Sequence, residues 1–281
     1  MPSLVTSKLH PRHYLRVFKY TIYVLLIVNV GLFFLDEWSA AGYLIANGSS
    51  LSDLVASFAA TLDTAAWVIL LLLFEFETNI ISDEKIRGKV KWFLHGARVF
   101  CYCLLVYAFF GYVTKMQGLS EFELSSAADL CGLAAGSFSF MTDLDEFELI
   151  DAANCLTLMP ADVLYQLTGA NVFTDSASLL SAQKLAWTDV INAGDWLLVV
   201  LVLEIDIRLQ LKGKLDGVIL TFSKAVKAIL YTILLLCAIY WGITGPLLDF
   251  WDAMLWIVAF VFIEMNMFEW QEEPIPRSDV R

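Results

Sequence analysis

Apolar residues along this chain gather into runs that approach the roughly 20 residues a helix needs to cross a bilayer. The runs cover 17–35, 54–76, 99–113, 189–207, 228–242 and 248–267, and each predicts a transmembrane helix. Polar segments of similar length join the second run to the third and the fourth to the fifth. The expected fold is an all-α integral membrane protein with six transmembrane helices in three antiparallel hairpins. The hairpins occupy 1–78, 79–210 and 211–281, and the middle one carries an extracytoplasmic insertion at 117–185.

The polar positions inside the runs repeat. Asp63, Asn192 and Asp252 each precede a tryptophan (Trp67, Trp196, Trp256) by one helical turn. Glu75, Glu204 and Glu264 follow those tryptophans at one common offset, and Glu77, Asp206 and Asn266 follow two residues later. The odd-numbered runs carry a second pattern. Arg16, Lys19 and Tyr23 recur as His95, Arg98 and Tyr102, then as Lys224, Lys227 and Tyr231, spaced to share one helix face. The register also crosses the turns, where Lys85-Ile86-Arg87-Gly88 matches Lys214-Leu215-Asp216-Gly217. Gap-free spacing of this kind predicts a pseudo-threefold internal repeat, with units related by rotation about the membrane normal.

Depth gives the buried charges meaning. Asp63 and Glu75 lie about 18 Å apart along a helix, whereas the hydrocarbon layer is about 30 Å thick. At least one acid of each such pair therefore sits in the apolar slab and must face protein. Lys19, Arg98 and Lys227 begin the odd helices at the level where Glu75, Glu204 and Glu264 end the even ones. The two sets are expected to meet as three charge clusters, with Tyr23, Tyr102 and Tyr231 one turn deeper. Asp63, Asn192 and Asp252 form an outer polar tier.

Charge sets the orientation. Of the 18 Lys and Arg, all but Lys115 and Lys184 fall on the side of the termini and the two polar turns. The positive-inside rule then predicts cytoplasmic termini and an insertion outside, in a bacterial inner membrane or a plasma membrane. Trp38, Trp187, Trp241 and Trp251 fit an outer aromatic belt, and Trp92 and Trp270 an inner one.

The insertion is acidic and holds a small duplication. Glu121-Phe122-Glu123-Leu124 precedes Cys131, and Glu146-Phe147-Glu148-Leu149 precedes Cys155. With alanine-rich stretches following, these segments predict short amphipathic helices over the outer face. Cys131 and Cys155 are expected to form a disulfide, as the only cysteines outside the membrane. Cys101, Cys103 and Cys237 fall inside spans as small apolar residues.

Composition narrows the function. Apolar residues make up 59% of the chain, charged ones 17%, and net charge is −12. A basic surface for nucleic acid is excluded. His10, His13 and His95 are the only histidines and all lie on the cytoplasmic side, which excludes a bis-histidine haem between spans. No metalloprotease, nucleotide-binding or nucleophile-elbow motif occurs, so no enzyme activity, metal or cofactor is expected. The even runs contain no proline, unlike the broken helices of many transporters. The leading expectation is an accessory or scaffold subunit packing against a membrane-protein partner or another copy of itself in the lipid bilayer. The alternative is a cation- or proton-conducting protein using Glu75, Glu204 and Glu264.

Overall fold

The computed structural model describes residues 11–44, 51–77, 88–125, 130–134, 136–158, 163–167, 169–212 and 214–272. Seven helices account for most of it: α1 (Pro11–Leu44), α2 (Leu51–Ser57), α3 (Ala59–Glu75), α4 (Lys89–Gly118), α5 (Ser176–Leu211), α6 (Gly217–Thr244) and α7 (Leu247–Glu272). Three segments are long and apolar enough to cross a membrane: Leu15–Tyr43, Lys89–Glu121 and Gly217–Thr244. Large apolar side chains stand out from these helices, among them Val24, Phe100 and Ile229, each about 60% exposed. An apolar surface of that extent suits lipid, not water.

The partner helices are less uniform. α3 is 17 residues long, and α5 carries Asp189, Asp195, Glu204 and Asp206 along its length. Packing buries Asp195 and Asp206 but leaves Glu204 exposed. α1 packs on α3, α3 on α4, α4 on α5, α5 on α6, α6 on α7, and α7 returns to α1. At the centre Trp67 meets Trp196 and Trp256 with ring centroids 5.8 and 6.2 Å apart, and Phe260 lies 4.5 Å from Trp196. Ile22, Leu26, Leu105, Val199 and Leu234 complete that core.

The turns reuse one device. Gly88 and Gly217, which start α4 and α6, adopt φ of 57° and 48°. A side chain is strained in that left-handed region, so glycine permits both sharp entries.

The insertion corrects the all-α expectation. The two Glu-Phe-Glu-Leu segments, expected in short helices, instead supply two strands of a five-stranded sheet: β1 (Phe122–Leu124), β2 (Ser139–Asp143), β3 (Glu146–Leu149), β4 (Leu164–Leu167) and β5 (Val172–Asp175). The order is β1-β4-β5-β2-β3, antiparallel except for β5 beside β2. The two Glu-Phe-Glu-Leu copies fall on the outer strands, and the physical reason is their period. Glutamate and apolar residues alternate with period two, the repeat of a strand. The glutamates also blunt the sheet's free edges.

Central strand β5 is buried on both faces. Val172 packs with Met141, Leu179, Ala182 and Leu185 against the helices. Phe173 faces the other way, into Leu130, Phe140, Ile150 and Cys155. Asp175 ends the strand and caps α5, accepting the Ser178 N–H at 2.6 Å. Phe147 stacks on Tyr43 of α1, ring centroids 5.3 Å apart, which seats the sheet on the bundle.

Cys131 and Cys155 form a disulfide across 24 residues of this insertion. By chain-entropy reasoning a loop of that length is worth about 3 kcal/mol. Replacing both cysteines with serine is expected to lower sheet stability by that amount. Limited proteolysis should then cut within 117–185 while leaving the helices intact.

Candidate functional site

The charge clusters at the ends of the even helices are built differently from one another. Lys19 Nζ donates to both Glu75 carboxylate oxygens at 2.8 Å, Tyr20 Oη donates at 2.9 Å, and Tyr23 Oη at 3.4 Å. Lys19 and Glu75 are both buried. Arg98 bonds Glu77, and Lys227 Nζ bonds Asp206 at 2.9 Å while Ser223 Oγ donates to the same carboxylate. Each of these last two pairs spans 21 residues.

Arg98 and Lys227 thus take the second acid of the preceding hairpin, not the first as expected. Two residues along a helix turn the side chain by about 200°, so the two acids of a unit cannot face the same neighbour. The second acid turns toward the helix that follows, Glu77 to Arg98 of α4 and Asp206 to Lys227 of α6. Glu204, turned the other way, is half-exposed and bonds Arg208 in the next turn of its own helix, at 2.8 Å. Tyr102 is exposed, and Tyr231 packs against the central core. The side chain of Glu264 lies outside the described residues.

The outer tier converges on something larger. A cavity of about 80 Å³ lies between the helices and the sheet, room for several waters at roughly 10–15 Å³ each. Asp63 on α3, Asn192 on α5 and Asp252 on α7 all line it, with Trp67, Trp196 and Trp256 one turn deeper as its floor. Asn29 on α1 donates to Asp252 at 2.7 Å.

Five further carboxylates and one lysine join the cavity that no repeat links to it. α1 brings Asp36 at the exposed rim and the buried Glu37. α5 brings Asp189 and α7 brings Asp249, while Asp145 enters from the tip of the β2–β3 hairpin. Lys115 of α4 also lines the cavity and bonds Asp145, tying the sheet to the bundle. Asp145 holds φ at 65°, a left-handed turn that aspartate tolerates better than most residues.

Glu37 has a second duty. Its carboxylate accepts the backbone N–H of Ala60 and of Thr61 at 2.8 and 3.0 Å, and the Thr61 hydroxyl at 2.6 Å. It caps the start of α3 from a neighbouring helix, because Phe58 at the helix's own cap position makes no side-chain bond.

Trp241, expected in the outer belt, is instead 6% exposed and lines the cavity. It follows Cys237 by four residues on the inward face of α6, and both pack into the core beneath the sheet. Gly245 lets the α6–α7 turn close over it, since a side chain there would lie 2.8 Å from the indole ring. Its indole N–H approaches Asp189 without completing a hydrogen bond.

Among the described residues no group of three or more acids, histidines or cysteines is placed to hold a metal ion. No protein-family model matches the chain, and no curated protein or solved structure resembles it at a significant level.

Proposed function

We propose that this protein is a polytopic membrane protein that captures a cation or protons in its outer cavity, and that it is not an enzyme. In this reading α1 and α3 to α7 are six spans in three hairpins about a pseudo-threefold axis. Both termini are cytoplasmic, following the distribution of Lys and Arg. The sheet then caps the extracytoplasmic face.

The observation that carries the reading is the cavity's charge: seven carboxylates around a small space, with Lys115 as the one base among the described residues. Two carboxylates about 6 Å apart repel by roughly 3 kcal/mol at an effective dielectric of 20. Such a set persists in a folded protein only when cations or protons neutralise it. The tryptophan floor closes the inner side, which suits alternating access better than an open pore. Glu75, already neutralised by Lys19, and the outward-turned Glu204 contribute little to this path.

Purified protein in liposomes is expected to take up Na⁺, K⁺, an ammonium ion or protons saturably. Asp63→Asn combined with Asp252→Asn should reduce uptake at least about tenfold, equivalent to 1.4 kcal/mol of lost binding. Wild-type liposomes that take up none of these ions, or a double variant with unchanged uptake, would overturn the proposal.

One observation favours an accessory-subunit role as a second reading. Leu124, Leu149 and Leu156 on the insertion are 71%, 58% and 76% exposed, outside the three long apolar helices. Native co-purification tests it, and recovery of this polypeptide alone would count against it.

A further inference from the structure

The cavity's lining says more than that it attracts positive charge. Its acids alternate with aromatic rings: Trp67, Trp196 and Trp256 below, Tyr112 and Trp241 on the walls. Metal ions prefer convergent oxygen ligands, and no such group of acids is found among the described residues. Aromatic faces beside carboxylates suit an organic ammonium, which the ring quadrupoles attract and the carboxylates neutralise. Lys115 already presents that chemistry here, its ammonium bonded to Asp145 at the cavity wall. About 80 Å³ limits a guest to a handful of non-hydrogen atoms.

Trp241 supplies an independent observation. Its indole N–H is buried and meets no acceptor at hydrogen-bond geometry among the described residues. A buried donor left unpaired is costly, and a bound acceptor removes the cost. That acceptor is a neutral oxygen, because seven carboxylates repel a carboxylate or phosphate guest.

Resting on the cation-capture reading, we propose that the cavity binds a small ammonium compound carrying a neutral oxygen, of the amino alcohol class. Its ammonium lies against Asp189 and Asp249, and its oxygen accepts the Trp241 N–H. Trp241 is thereby the residue that selects an oxygen-bearing amine over a plain one.

The four cavity tryptophans provide the readout. Full-length protein in detergent is titrated with ethanolamine, ethylamine, NaCl and CaCl₂ while intrinsic tryptophan fluorescence is followed. Equilibrium dialysis with radiolabelled ethanolamine gives a second measure. Ethanolamine is expected to bind saturably and about fivefold more tightly than ethylamine, the worth of one ordinary hydrogen bond. In Trp241→Phe the two amines should bind within about twofold of each other. If that variant does not fold, the wild-type ratio alone decides. Equal or better binding of ethylamine by the wild type overturns the assignment of the oxygen to Trp241. Saturable binding of Na⁺ or Ca²⁺ with neither amine overturns the amino alcohol class and leaves cation capture standing. No binding of any of the four overturns the amino alcohol proposal, and liposome uptake of K⁺ and protons then decides cation capture separately.

Discussion

Glu75→Ala is expected to destabilise the protein by about 3–5 kcal/mol, the usual cost of removing one partner from a buried ion pair. Lys19 and Glu75 have side-chain exposures of only 11% and 3%. Glu75 also accepts Tyr20 and Tyr23, so its removal strands an ammonium and two hydroxyls together. Lys19→Met in the same background removes the stranded charge and should recover most of the loss. The matching substitution Glu204→Ala should cost less than about 1 kcal/mol, because an exposed pair four residues apart contributes little. Thermal unfolding in detergent of Glu75→Ala, Glu204→Ala and Lys19→Met/Glu75→Ala checks all three expectations. Equal losses from Glu75→Ala and Glu204→Ala would show that burial does not govern these clusters.

That contrast marks where the sequence was legible. Glu75 and Glu204 occupy equivalent places in the repeat, and spacing alone treats them alike. Their surroundings differ because Glu75 faces Lys19 of the packed helix α1, whereas Glu204 faces outward and meets Arg208 of its own helix. Arg98 and Lys227 take Glu77 and Asp206. Helix positions and the shared level of acids and bases follow from apolar period and rise per residue. Which acid meets which base depends on rotation about each helix axis, and a two-residue difference reverses it.

The insertion shows a second limit. Phe122–Leu124 and Glu146–Leu149 are three and four residues long, too short for period to separate strand from helix against alanine-rich surroundings. Only the alternation of glutamate with Phe and Leu carried the strand signal. The cavity was the least legible part. Glu37, Lys115, Asp145, Asp189 and Asp249 come from four helices and a hairpin tip, and no spacing joins them. The one hint was Lys115, which with Lys184 is one of two bases on an otherwise acidic side. Trp241 was misplaced for a similar reason: its level near the outer end of α6 fits a belt, but its direction points into the core.

Glu37→Leu is expected to cost a comparable 3–5 kcal/mol, although the donors that meet this carboxylate at the start of α3 are all uncharged. Leucine fits the volume but leaves the Ala60 and Thr61 N–H groups and the Thr61 hydroxyl without their acceptor. Losing a helix cap costs about 1 kcal/mol, and each buried donor left unpaired adds roughly 1–3 kcal/mol. Glu37→Gln separates capping from charge. Its amide oxygen still accepts, but its NH₂ group turns a donor toward one of those N–H groups, so about half the loss should remain. Hydrogen exchange at Ala60 and Thr61, read beside thermal unfolding, locates the effect. If Glu37 acts as the cap, Glu37→Leu speeds exchange in the first turn of α3 before the rest of the bundle. Uniformly faster exchange along α3 would instead make Glu37 a general packing residue. Because α3 also positions Asp63 and Trp67, fraying at its start should weaken cation capture even though Glu37→Leu leaves both residues in place.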